Sequence, residues 1–183
     1  MRLFLALFFD QNSLTYLKHD MAILQAKFPQ FRFESVERLH TTLWFYGDNI
    51  SVERESNIIQ QLAQLPKLQS FDLVLSKPLY LPMSARPHVL AYEIKSSQLT
   101  QLIEKIDHAM QSIGLNRERA FLPHITLARF PSCIRPLPEI GAFRINPAEP
   151  VNHLLQPKEL VLIQSVIGPK GSTYLTKWRK TFD

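Results

Sequence analysis

Two quartets of the sequence carry side chains able to do chemistry at matching spacing: "HTTL" at residues 40–43 and "HITL" at 124–127, with 84 residues from one histidine to the other. Both sit in runs of strand-like composition, "RLHTTLWFYG" and "FLPHITLARF". On a strand, successive side chains point to opposite faces, so His40 shares a face with Thr42, and His124 with Thr126. Thr41, Leu43 and Phe45 turn the other way, as do Ile125 and Leu127. Each copy therefore presents an imidazole and a hydroxyl about 7 Å apart on a face free of large aliphatics. Shuffling the composition yields roughly 0.04 expected H-x-T-L quartets, so a pair calls for a common cause where one copy would be a satisfied structural histidine.

Two imidazoles and two hydroxyls suit a particular kind of reaction. Histidine titrates near neutrality, so one ring can take a proton while the other gives one, on opposite sides of a single reacting centre. Hydroxyls at Thr42 and Thr126 can donate hydrogen bonds to the non-bridging oxygens of a phosphodiester as negative charge grows there. The pattern thus fits in-line hydrolysis at phosphorus. Competing chemistries lack their signatures. No H-E-x-x-H or cysteine pair accompanies the histidines as a zinc site would require. There is no G-x-S-x-G, and Cys133 lies among prolines. His19, His88, His108 and His153 have no partner pattern and are read as structural or surface residues.

Positioning these groups is the work of alternating strands and helices. "RLFLALFF" reads as a buried strand, and "QNSLTYLKHDMAILQAKF" as a helix with Leu14, Leu17, Met21 and Leu24 on one side, closed at Pro29. After the His40 strand, "SVERESNIIQQLAQL" reads as a helix started by Ser51 and ended before Pro66. "SFDLVLSKPLYL" and "HVLAYEI" read as paired strands, and "SSQLTQLIEKIDHAMQSIG" as a third helix stopped at Gly114. The His124 strand follows. A proline-rich stretch from 131 to 157 reads as loop and edge. "ELVLIQSVI" and "STYLTKW" close the chain as two strands around the turn "GPKG". Strand, helix and H-x-T-L strand occur twice in this order, the mark of a duplication. The expected fold is α+β, with helices on one side of antiparallel sheets, not a doubly wound parallel sheet.

Composition bounds the rest. A chain of 183 residues that is 45% hydrophobic buries a core as one domain or as two lobes sharing an interface, and is not a disordered segment. A single cysteine excludes an internal disulfide and fits a reducing compartment, with the cytoplasm as the expected location. The opening "MRLFLALFFD" has too short an apolar run, ending at Asp10, for a signal peptide, and no stretch approaches the roughly 20 apolar residues that span a bilayer. Net charge is +5, from 21 Lys and Arg against 16 Asp and Glu, which favours polyanionic partners weakly. The cationic "TKWRKTF" reads as a solvated strand or chain end. A monomer is the default expectation.

The paired motifs, in a chain of this size, resemble the two-histidine phosphoesterase superfamily. "MRLFLALF", "LHTTLWFYGD", "RPHVLAYEI", "FLPHITLARF" and "IGPKGSTYLTKW" are similar, in order and position, to the RNA 2',3'-cyclic phosphodiesterases first described as 2'-5' RNA ligases. The resemblance covers essentially all of residues 1–183. It implies one bilobal domain, two antiparallel sheets flanking a central cleft with helices outside, each lobe contributing one motif. It further implies a reaction needing no metal or other cofactor, in which a 2',3'-cyclic phosphate at an RNA end opens to a 2'-phosphomonoester. By position His124 is then the proton acceptor that activates water and His40 the proton donor to the departing 3' oxygen. Thr42, Thr126 and Arg129 hold the phosphate, Arg129 through the planar fork that matches phosphate oxygens.

Strict alternation conflicts with the last of these roles, because it puts Arg129 on the face of Ile125 and Leu127. The strand must bulge or end before Arg129, or its side chain must curl round the edge. By the same alternation Trp44, Tyr46 and Phe130 fall on the histidine side, where an aromatic ring can stack on an unpaired base, although packing against a neighbouring element is the expected role for each. Two positions depart from the family pattern: Thr41 replaces an apolar residue, and the loop from Gly168 to Gly171 is longer than the compact form. Tyr174 matches a family tyrosine without an assignable role. Alternatives within the same chemistry are 2'-5' ligation and hydrolysis of small cyclic nucleotides. Outside it, the alternatives are a non-catalytic module that binds RNA ends and an accessory protein working through a partner surface.

Overall fold

A computed structural model describes residues 1–83, 86–117, 121–131, 140, 154–168 and 171–183. The elements run β1 (Arg2–Phe9), α1 (Gln11–Lys27), β2 (Arg32–Phe33), a 3₁₀ turn (Val36–Arg38), β3 (His40–Gly47), α2 (Val52–Ala63), β4 (Leu73–Leu81), β5 (Val89–Lys95), α3 (Ser97–Gln111), β6 (His124–Arg129), β7 (Leu154–Leu155), β8 (Pro157–Gly168) and β9 (Gly171–Thr181). Each helix begins where a short polar side chain caps it: Asp10 accepts from the Ser13 amide, Ser51 from Arg54 and Ser96 from Leu99. Leu17, Met21 and Leu24 of α1 recur at helical spacing and are buried, as are Ile58 and Leu62 of α2 and Leu99, Leu102, Ile103, Ile106 and Met110 of α3.

All strand pairings are antiparallel, and the order is β7-β4-β5-β6-β3-β1-β8-β9, with β2 added beside β6. The order is a near-palindrome. From the middle outward, the His40 strand β3 is followed by β1, β8 and β9, and the His124 strand β6 by β5, β4 and β7. In each half a helix follows the strand next to the histidine strand, α1 after β1 and α3 after β5, as the repeated order of elements implies. The two central strands β3 and β6 pair at Thr41 opposite Ile125. These are the second residues of the two quartets, so the pseudo-twofold relation passes through the motifs themselves.

One face of the curled sheet buries the three helices around a core that includes Leu5, Leu7, Leu43, Tyr92, Ile125 and Leu127. The opposite face of the β3-β1-β8-β9 half carries a smaller apolar cluster of Phe4, Ala6, Val161 and Ile163, with Phe8 and Tyr174 packed on it. Strand β1 is therefore covered on both sides, which is why "LFLALF" reads as an unbroken apolar run. The C-terminal "TKWRKTF" is mostly strand: Lys177 pairs with Glu55 and Arg179 with Glu159, while Trp178 lies against the core. The turn residues Pro169 and Lys170, Cys133, His153 and most of the proline-rich stretch lie outside the described residues.

Both histidine strands carry an irregularity at the same place. Along β1 and β3, Ala6 pairs with Thr42 and Leu5 with Trp44, which leaves Leu43 as an extra residue. Along β5 and β6, Ala91 pairs with Thr126 and Leu90 with Ala128, which leaves Leu127 extra. A β-bulge puts two successive side chains on one side and reverses the alternation beyond it. Leu43 and Trp44 are both buried, as are Leu127 and Ala128, and the next residues, Phe45 and Arg129, are exposed.

Candidate active site

A cleft of about 570 Å³ opens where the two halves meet, and His40, Thr42, His124, Thr126 and Arg129 all line it. Since β3 and β6 are antiparallel about the Thr41–Ile125 pair, His40 lies on the side of Thr126 and Thr42 on the side of His124. The two histidines are thus diagonal neighbours across adjacent strands, a relation that spaces Cα atoms about 7–8 Å apart. A tetrahedral phosphate between the rings meets one from each side.

Both imidazoles are held in the same way. Nδ1 of His40 lies 2.7 Å from the carbonyl oxygen of Arg38, and Nδ1 of His124 lies 2.8 Å from that of Leu122. A carbonyl only accepts, so Nδ1–H donates in each ring and Nε2 is left to exchange a proton with whatever occupies the cleft. The carbonyl two residues upstream is the partner in both copies, the repeat expressed as a hydrogen bond.

The surroundings of His40 add a bias. Its ring lies 5.4 Å from that of Phe4 and 5.5 Å from that of Phe8, with the Tyr174 ring edge-on at 5.9 Å. Burial among these rings pulls the His40 pKa below the ordinary histidine value. The bond to the Arg38 carbonyl and the Glu34 carboxylate oppose that pull, whereas the charges of His124 and Arg38 reinforce it.

Arg129 reaches the cleft because of the bulge at Leu127, the first of the possibilities that strict alternation leaves open. Its Nε donates to Glu34 Oε1 at 3.3 Å. The bulges at Leu43 and Leu127 overturn the side that alternation gives the aromatic residues and leave them packed against neighbouring elements, the expected role. Trp44 stacks on Tyr46 at 5.7 Å and lies under the Arg117 guanidinium at 4.5 Å, on the helix side. Phe130 stacks on Phe31 at 4.4 Å, likewise in the core. None of the three faces the histidines. The strand's aromatic residue in the cleft is Phe45, 48% exposed, with the Arg2 guanidinium 4.9 Å from its ring centre, although alternation assigns it to the other side.

Other lining residues come from positions that the motif leaves unmarked. Phe4 is in β1, Arg32, Glu34 and Arg38 belong to the segment leading into β3, and Tyr174 is in β9. "FRFESVER" is visibly charged, but its place depends on β2 pairing with β6 while Leu39 hands the chain to β3. His19, His88 and His108 do not line the cleft. Among the described residues no three His, Cys, Asp or Glu side chains cluster as a metal site would need.

The curled antiparallel sheet with outer helices has the fold of solved phosphoesterases, and the chain that carries the paired H-x-T-L strands at its centre is similar in sequence to curated RNA 2',3'-cyclic phosphodiesterases. The RNA 2',3'-cyclic phosphodiesterase of Methanocaldococcus jannaschii is 27% identical over 132 residues, covering 70% of this chain and 71% of the relative. The enzyme of the same description from Archaeoglobus fulgidus is 25% identical over 139 residues, covering 75% and 76%. Among solved structures, TT0787 of Thermus thermophilus superposes with a TM-score of 0.79 at 23% identity, over 100% of this chain and 98% of that one. No protein-family model matches the chain.

Proposed function

We propose that residues 1–183 act as one bilobal enzyme that hydrolyses 2',3'-cyclic phosphates at RNA ends to 2'-phosphomonoesters. The observation that carries this reading is the pair of imidazoles held alike by Nδ1–H bonds on one cleft, with no partner for either Nε2 among the described residues. His124 Nε2 accepts a proton from water as the water oxygen bonds to phosphorus. The bond from phosphorus to O3' breaks on the opposite side, and His40 Nε2 gives its proton to O3', leaving a 3'-hydroxyl and a 2'-phosphate. Thr42 and Thr126 donate hydrogen bonds to the non-bridging oxygens, and Arg129 adds a charge-assisted pair.

His40 must start protonated, and burial in the free protein works against that. An arriving phosphodiester supplies the missing negative charge beside the ring, so substrate binding and protonation of His40 support each other. The chain has no helix, among the described residues, long and apolar enough to cross a membrane. The reading places the enzyme in the cytoplasm as a monomer that needs no cofactor.

The experiment that tests it incubates the protein, in excess EDTA, with an oligoribonucleotide ending in a 2',3'-cyclic phosphate, beside His40→Ala and His124→Ala. Conversion to a 2'-phosphate end, reduced about 10²- to 10⁴-fold in each variant, is expected. No turnover, with RNA binding unaltered in both variants, overturns the enzyme and leaves a binding module.

A further inference from the structure

The charge of the cleft exceeds what a cyclic phosphate requires. Among the described residues, Arg2, Arg32, Arg38 and Arg129 line it, against the single carboxylate of Glu34. Two of these arginines have partners: Arg2 pairs with Asp48 at 2.9 Å and Arg129 with Glu34 at 3.3 Å. Arg32 and Arg38 have no carboxylate partner among the described residues. A 2',3'-cyclic phosphate carries one negative charge, which Arg129 meets together with the threonine hydroxyls. The two unpaired cations are left over.

Their position says what they are for. Arg38 Nη2 donates to the Ser172 carbonyl at 2.7 Å, and its guanidinium lies 4.3 Å from the centre of the Tyr174 ring. The side chain is thereby held in place with further N–H donors unspent, so little ordering cost remains when an anion arrives. Arg32 sits opposite Arg129 in the β2–β6 pairing. Both lie at the end of the cleft where β3 begins, beside His40 and beyond Thr126. In the proposed reaction that is the end from which O3' departs, so the terminal ribose and the chain on its 5' side extend that way.

We propose that Arg32 and Arg38 form a second phosphate subsite, which binds the backbone phosphate on the 5' side of the terminal nucleotide. The substrate of the cleft is then an RNA end, not a cyclic mononucleotide. This rests on the function proposed above and adds to it a second subsite with two specificity-determining residues.

The test compares kcat/KM for a hexaribonucleotide ending in a 2',3'-cyclic phosphate with that for uridine 2',3'-cyclic phosphate. Wild type, Arg32→Ala, Arg38→Ala and the double variant are measured, with Lys105→Ala removing a cation far from the cleft. The ratio of the two values cancels any effect on the chemical step. It is expected to be at least tenfold in wild type and to fall toward one in the double variant, with Lys105→Ala leaving it unaltered. The salt dependence on the hexamer becomes shallower by about 0.7 in log–log slope for each phosphate that is no longer neutralised. A wild-type ratio near one, a ratio that survives the double substitution, or an equal fall in Lys105→Ala overturns the subsite. Absence of turnover on both substrates defeats the hydrolase reading instead. Anisotropy of the labelled hexamer then decides: a Kd raised tenfold by the double substitution upholds the subsite, and an unaltered Kd overturns it.

Discussion

Thr41 is the residue at which the central strands β3 and β6 pair, and it carries a hydroxyl that is fully buried and has no hydrogen-bond partner among the described residues. Its opposite number in the second motif is Ile125, equally buried. Leaving a buried hydroxyl unsatisfied costs about 1–3 kcal/mol, and Thr41→Val removes that hydroxyl while keeping the β-branched shape that strands favour. A gain of about 1–2 kcal/mol in unfolding free energy follows, which for a chain of this length raises Tm by about 2–8 °C. Urea denaturation should show a higher midpoint with an unaltered m-value. Because Thr41 points away from the cleft, kcat/KM should stay within about twofold of wild type. Destabilisation by more than about 0.5 kcal/mol would refute the reasoning, since it would mean the hydroxyl is satisfied or the strand junction needs it.

Four further outcomes are expected. As the proposed acid, His40 loses function as pH rises through its pKa, so its depressed pKa puts the basic limb of kcat/KM below the ordinary histidine value of about 6.5. Glu34→Gln removes one of the influences that hold that pKa up and should move the limb lower still; a limb that stays put refutes the role assigned to His40. Arg129→Lys keeps the charge but not the planar fork, and should cost about 10- to 100-fold in kcat/KM, read as a fall in kcat with a smaller change in KM. Trp44→Ala should destabilise by about 3–5 kcal/mol in a denaturation experiment while the activity of the folded fraction holds, because the ring lies in the core under Arg117.

Much of this protein was legible in one dimension. Local chemistry determined the three helices, since capping side chains and apolar spacing act within a few residues. The duplication and the four motif side chains were legible for a similar reason: an H-x-T-L quartet on a strand presents His and Thr on one face wherever that strand ends up. What the sequence could not determine begins one residue later. Alternation assigns Trp44, Tyr46 and Phe130 to the cleft and Phe45 and Arg129 to the core, and all five assignments are reversed by bulges at Leu43 and Leu127. A bulge is a property of two strands, settled by which register buries Leu43 with Trp44 and Leu127 with Ala128 against the helices. Only the tertiary structure decided the surroundings of the histidines as well. Phe4, Arg32, Arg38 and Tyr174 gather on the cleft because β1 and β9 lie on the β3 side of the sheet in one half, while β2 pairs across to β6 in the other. That convergence is made by long-range pairing, which no local pattern encodes.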